Sequence, residues 1–156
     1  MALTRIQYWD TRSFSRFLLQ RASEPFVWGK NDCALMAADG IEAITGVDIA
    51  ADFRGKYGSE EEAFALIREL TGGETVEDAA AYCAAKAGLR EWELPLCARR
   101  GDLVVLEDAG RIIAGLVHLN GREVVAVGDA GLKRLPIAGR DDAGAVISLI
   151  KRAWNV

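Results

Sequence analysis

Near residue 90 the apolar residues of this chain change from a helical to a β-type spacing, and that switch constrains the fold more than any other feature. Upstream, apolar residues recur at intervals of three and four between capping residues and glycines. Asp10 is placed to cap a helix running to about Ala22, with Phe14, Phe17 and Leu18 on one face. Asn31 is placed to cap a second, in which Cys33, Ala37, Ile41 and Ile44 form a stripe that Gly46 closes. Gly40 weakens that helix and leaves room for a close neighbour. Ser59 and Glu62 have the capping-box spacing ahead of Ala63, Phe64, Leu66, Ile67 and Leu70, and Gly72-Gly73 stops the run. Thr75 with Asp78 begins a fourth, alanine-rich helix through Ala87.

Downstream the pattern is that of strands. Asp102 to Leu106 reads as a short buried strand, and Ile112 to Leu119 and Arg122 to Val127 as two more, joined at Asn120-Gly121 by a two-residue type I′ turn. Leu132 to Ile137 and Ala145 to Ile150 are further candidates, with Trp154 folding back onto the sheet. Helices followed by an antiparallel sheet define the α+β class. A length of 156 residues suits one hydrophobic core, and no repeat or linker interrupts it, so a single domain over 1–156 is expected.

Composition narrows the function. Nineteen basic and 23 acidic residues are spread along the chain, so no basic footprint for a phosphate backbone exists and nucleic acid is not an expected partner. No apolar run approaches the ~18 residues of a membrane span, and MALTRIQYW is too short and polar for a signal peptide. The chain is therefore expected to be cytoplasmic when synthesised. Cysteines 33, 83 and 97 form no CxxC pair, and their odd number fits a reducing compartment. With His118 the sole histidine, no metal-ligand spacing emerges, and neither a metal nor another cofactor is implied.

The residues that could carry chemistry cluster in PFVWGKNDCALMAADG, 25 to 40. A thiol in the first helical turn feels the positive end of the helix dipole, which favours thiolate. Asp32 beside it works the other way, because a neighbouring negative charge raises a thiol's pKa. Cys33 is thus either a nucleophile or a small buried residue that begins an apolar face.

Pro25-Phe26-Val27-Trp28-Gly29, then Asp32-Cys33 opening a helix, then Arg100-Gly101-Asp102-Leu103-Val104 ahead of a hairpin, together resemble the NlpC/P60 cysteine-hydrolase superfamily. The likeness is greatest to a branch of small phage and prophage proteins with an aromatic-x-W-G-x-x-D-C start, and it spans residues 25 to about 130. It implies a papain-like fold with helices packed on an antiparallel sheet, and Cys33 at the nucleophile position. It also implies cleavage of peptidoglycan stem peptides, or a place among phage tail proteins and incorporation into a tail-like particle. Laying Gly115-Leu116-Val117 on the superfamily's G-I-Y puts Ile113 where the general-base histidine stands, and isoleucine takes no proton. Phe26 replaces a common tyrosine, removing a hydroxyl that could support an oxyanion.

His118 is the one candidate substitute base, although an odd separation from 113 sets it on the other face of an unbroken strand. Asp129 falls where a third polar residue would orient the base, or is a turn residue in Gly128-Asp129-Ala130-Gly131. Trp28 is a stacking surface or a core wedge. Trp28, Asp32 and Asp129 are the candidate substrate contacts. These features leave open a tail component that has lost activity, an active thiol hydrolase, and a binding domain that holds a cell-wall peptide.

Overall fold

The structure, a computed structural model, describes residues 3–156. A π-helical turn, Trp9–Ser13, leads into helix α1 (Phe14–Arg21), followed by α2 (Cys33–Thr45), α3 (Glu60–Thr71) and α4 (Val76–Lys86). Eight strands follow: β1 (Arg90–Glu91), β2 (Leu103–Asp108), β3 (Arg111–Val117), β4 (Glu123–Gly128), β5 (Gly131–Pro136), β6 (Ala138–Arg140), β7 (Val146–Ser148) and β8 (Ile150–Asn155). Six of them form one sheet in the order β1-β8-β2-β3-β4-β5, and β6 and β7 form a separate ribbon; every pairing is antiparallel. The chain is thus α+β, helices first and sheet second. No helix among the described residues is long and apolar enough to cross a membrane.

Alternation along the strands divides the interior. Leu103, Val105, Ala114 and Leu116 face the helices and pack with Met36, Ile41 and Ala84. Val104, Leu106, Val117 and Val124 face the other way, beneath Trp92, Leu135 and Ile137. Helix α2 lies closely on the sheet because it carries Gly40: a Cβ there would come within 2.3 Å of Leu116 Cδ1 and 3.1 Å of Phe17 Cε1.

Several local expectations need correction. Asp10 does not cap α1; its carboxylate accepts from the adjacent Thr11 N–H at 3.0 Å and pairs with Arg100 at 3.5 Å, and the helix is entered from Tyr8 in the left-handed region at φ 60°. Asp32, not Asn31, caps α2. The Asn31 amide is engaged instead with the carbonyls of Glu24 (3.1 Å) and Pro25 (2.9 Å), while its oxygen accepts from Arg21 (2.9 Å).

The turn at Asn120-Gly121 is longer than two residues. His118 N–H donates to Glu123 O at 2.8 Å, so residues 119–122 form the loop, and Asn120 lacks the positive φ that type I′ demands. Its side-chain oxygen accepts from the N–H groups of Arg122 and Glu123. The type I′ geometry occurs one hairpin earlier, where Ala109 (φ 50°) and Gly110 (φ 79°) join the paired Asp108 and Arg111. The segment expected as one strand over 145–150 is split. Val146–Ser148 pairs with β6, and β8 begins at Ile150, enters between β1 and β2, and carries Trp154 as one of its own residues opposite Leu103.

Gly101-Asp102 closes the architecture. The Asp102 carboxylate is fully buried and accepts from Arg99 N–H, Trp92 Nε1 and Arg5 Nη2, each at 2.8 Å, and from Val156 N–H at 3.1 Å. One side chain thereby ties the start of β2 to both ends of the described chain.

Candidate site at the start of helix α2

The loop before α2 is built to hold Cys33 in one orientation. Val27 and Asn31 exchange backbone hydrogen bonds at 3.2 and 2.8 Å, closing a tight turn around Trp28, Gly29 and Lys30. Gly29 sits at φ 77°, and a Cβ there would lie 2.2 Å from Tyr57 O, so two physical reasons require glycine. Phe26 N–H donates to Gly128 O at 3.1 Å, pinning the loop to the β4–β5 hairpin.

Asp32 then caps the helix: Oδ1 accepts from Leu35 N–H at 2.9 Å, and Oδ2 from Gly29 N–H at 3.0 Å and Tyr57 OH at 2.5 Å. Asp32 is 2% exposed, and both its oxygens are occupied. The structure therefore gives this candidate substrate contact a structural employment. Burial, followed by the Asp32 charge, raises the Tyr57 phenol well above its ordinary range, so its hydroxyl stays a donor.

Cys33 occupies the first helical position and is 7% exposed. Burial is the largest influence on its thiol; a backbone hydrogen bond from Ala114 pulls the other way, Asp32 adds to the rise, and the group is pushed up to about 11. The helix N-terminus does not overcome desolvation here.

A groove of about 390 Å³ opens over Cys33. Phe26, Trp28 and Phe64 form its aromatic bank, with Trp28 edge-on to Phe26 at a centroid distance of 4.8 Å and to Phe64 at 6.4 Å. Ile112, Ile113 and Ala109 form the strand bank. Its rim holds the Asp108–Lys133 ion pair, Asp129, and Arg111, which is paired with Glu60. Of the candidates named from sequence, Trp28, Cys33 and Asp129 are brought to this groove together.

His118 is not. It lines neither this groove nor the smaller void behind Cys33. Strand β3 ends at Val117, so alternation no longer fixes the facing of residue 118; the separation comes from length, four residues beyond Ala114, or about 13 Å along an extended chain. Its Nδ1 accepts from Asn120 N–H at 3.1 Å, and burial with the nearby Arg134 lowers its pKa, leaving a neutral ring employed in its own turn.

The placement of Ile113 also needs refinement. It has the parity of Gly115 and Val117, which belong to the far face, although its side chain reaches the groove at the sheet's margin. Of the β3 residues on the helix-facing side, Ile112 and Ala114 line the spaces beside Cys33. Neither carries a proton acceptor.

Tyr57 and Phe64 escaped the sequence reading. Tyr57 reaches Asp32 across 25 positions, a pairing that no local pattern encodes. Phe64 was read as one residue of a helical stripe, and its place beside Trp28 depends on how α3 docks.

This geometry defines an α+β protein with a cysteine at a helix N-terminus, beneath an aromatic-lined groove that carries charges of both signs at its rim. A family model matches residues 4–146, and the chain belongs to that family, DUF6950, a domain of unknown function. Searches of the curated proteins and of the solved structures each returned no match.

Proposed function

We propose that this protein is a papain-like, NlpC/P60-type module that serves in a phage or prophage tail and has lost the proton relay of a hydrolase. The observation that carries this reading is the strand opposite the thiol. Ile112, Ile113 and Ala114 present hydrocarbon where a thiol hydrolase needs a base, and the thiol itself is pushed up to about 11. Attack on an amide carbonyl would require the Cys33 proton to leave first and the departing amine to receive one later. No imidazole stands beside the sulfur for either transfer. The motif order from Trp28 to Val104 supports the superfamily, and the tail setting rests on the same likeness.

The competing reading is an active hydrolase of peptidoglycan stem peptides, favoured by the opening of the groove directly over Cys33. Incubating the protein with purified stem peptides across pH 6–9, with Cys33→Ala as control, separates the two. The proposal expects no cleavage above that control; Cys33-dependent release of an amine overturns it. The tail assignment is tested by sedimenting particles from an induced lysogen that carries the gene. The protein should travel with the tails, and recovery only in the free-protein fraction rejects that assignment.

A further inference from the structure

The main sheet ends in β1 and β5, and both of these edges are defended against a further strand. β1 is two residues long, and both, Arg90 and Glu91, are charged. β5 carries Lys133, Arg134 and Pro136, and its Leu132 N–H already donates to Ala22 O at 3.0 Å. The ribbon of β6 and β7 is built otherwise. Arg140 supplies a charge on the β6 side, but β7 lies within Ala145-Val146-Ile147-Ser148-Leu149-Ile150, a run of β-forming type with no charge, proline or glycine. Val146 is 58% and Ile147 40% exposed, and successive residues point to opposite faces, so both faces of the ribbon reach water. Leu149 N–H donates to Ile137 O at 2.9 Å and Asp141 N–H to Ala145 O at 3.0 Å, which places the ribbon's hydrogen-bonded pairs at odd-numbered residues. The backbone N–H and C=O of Val146 and Ser148 therefore point outward, and no backbone group among the described residues answers them.

We propose that β7 pairs edge to edge with β7 of a second copy of this chain, antiparallel about a twofold axis at Ile147, joining two ribbons into one four-stranded sheet. The free edge selects an extended strand, because only a strand presents donors and acceptors at the spacing of Val146 and Ser148. The register that uses both residues is self-complementary. Val146 exchanges two hydrogen bonds with the partner's Ser148, Ser148 does the same with the partner's Val146, and Ile147 stands opposite the partner's Ile147 at the close, non-hydrogen-bonded position on the axis. Charge selects a second copy in this orientation. β7 brings no charge to the axis, so two copies meet there without repulsion and each Ile147 gains an apolar neighbour. The ribbon's tip carries Asp141 and Asp142; antiparallel pairing sets the two tips at opposite ends, whereas a parallel arrangement would crowd the acidic pairs together. A two-stranded ribbon is marginal by itself, and the partner's strands supply what it lacks. The contact is small beside the ~1,200–2,000 Å² of stable complexes, so the dimer belongs to the micromolar and not the nanomolar range.

Sedimentation velocity of the full chain from about 5 to about 500 µM should show a monomer passing to a dimer. Hydrogen exchange over the same range should slow at the Val146 and Ser148 amides and keep its rate along β5, at the defended edge. Ile147→Lys and Ile147→Glu each set like charges opposite one another on the axis, and each should weaken the dimer at least about a hundredfold. Mixed in equal amounts, the two variants should recover it to within about tenfold of the native chain, a rescue that requires residue 147 of one copy to meet residue 147 of the other. Because Ile147 reaches water, both variants should keep the native urea midpoint; if either does not, the exchange pattern of the native chain decides alone. A chain that stays monomeric over the whole range leaves β7 to a strand of some other protein and overturns the proposal. So does a dimer that survives both substitutions, one that their mixture does not rescue, or one that leaves the Val146 and Ser148 amides unslowed. None of these outcomes bears on Cys33 or on the groove above it.

Discussion

The two banks of the groove are built to different standards. On the helical bank, residues 25–35 form a loop and helix start in which Gly29 is sterically required, Asp32 is coordinated by three donors, and Asn31 binds two carbonyls and an arginine. On the strand bank, Ala109, Ile112 and Ile113 contribute only hydrocarbon. The helical bank holds the thiol in place through many directed hydrogen bonds, and the strand bank offers it apolar contact alone.

The largest expected effect breaks the helical bank. Asp32→Ala removes the cap of α2 and leaves Tyr57 OH and Gly29 N–H without their acceptor, which should cost about 2–4 kcal/mol in urea unfolding. Asp32→Asn keeps an acceptor oxygen and should recover part of that. On the strand bank, Ile112→Ala trims a partly exposed side chain and should cost about 1 kcal/mol. If the two alanine variants prove equally stable, the contrast between the banks is wrong.

The next effect is a pH dependence carried by the thiol. Cys33 titrates near 9 when unfolded and near 11 when folded, so between those values the unfolded chain has released a proton that the native chain retains. The native state then binds more protons, and stability falls as pH rises through this window, at up to about 1.4 kcal/mol per pH unit. Below pH 9 the contribution is fully present. Urea melts from pH 8 to 11 should show Cys33→Ala losing less stability than the native chain over the same range. Identical slopes would mean that the thiol is solvated in the native state.

How much of this was legible in the sequence follows the range of the interactions. The stops and starts of α3 and α4 lie within four residues of the groups that make them, as with Ser59 accepting from Glu62 N–H, and they were read directly. The cap of α2 was misplaced by one residue because Asn31 and Asp32 are both good caps, and the choice was made by Arg21, Glu24 and Pro25 drawing Asn31 away. The type I′ turn was assigned to Asn120-Gly121 on composition. In the structure Asn120 uses its side chain to close a longer loop, and an alanine takes the left-handed position at the other hairpin. The insertion of β8 between β1 and β2 and the Tyr57–Asp32 bond join distant segments, and no periodicity records them. The groove's components are partly legible, since Trp28, Cys33 and Asp129 meet there with Ile113 on the facing strand, whereas the share of Ile112 and Ala114 in the Cys33 side depends on a strand register that no local motif records.

That register gives the third test, of about one factor of ten. Ile112→His places an imidazole on the Cys33 side of β3 and within the groove, where its positive form should lower the thiol pKa. Alkylation of Cys33 at pH 6.5, where about half of an ordinary imidazole is charged, should rise about tenfold, equivalent to about 1.4 kcal/mol. Ile113→His, with the parity of the far face, should raise it less. The reverse order would restore residue 113 as the position that faces Cys33.

The smallest effect belongs to the turn that ends the strand bank. Ala109 holds φ 50° at the groove's edge, a conformation that costs an L-residue with a Cβ roughly 1–2 kcal/mol. Glycine avoids that cost and gives back part of the gain through its greater freedom when unfolded, so Ala109→Gly should stabilise by about 0.5 kcal/mol. Gly121 is the natural control: its φ is 71°, and a Cβ would meet only Arg100 Cγ at 3.8 Å, so Gly121→Ala tests conformation without a clash and should destabilise by about 1 kcal/mol. Opposite signs at the two hairpins would show that the turn beside the groove sits above its local optimum. A destabilising Ala109→Gly would instead mean that the methyl group packs in the groove wall, giving the strand bank one specific contact that its hydrocarbon surface otherwise lacks.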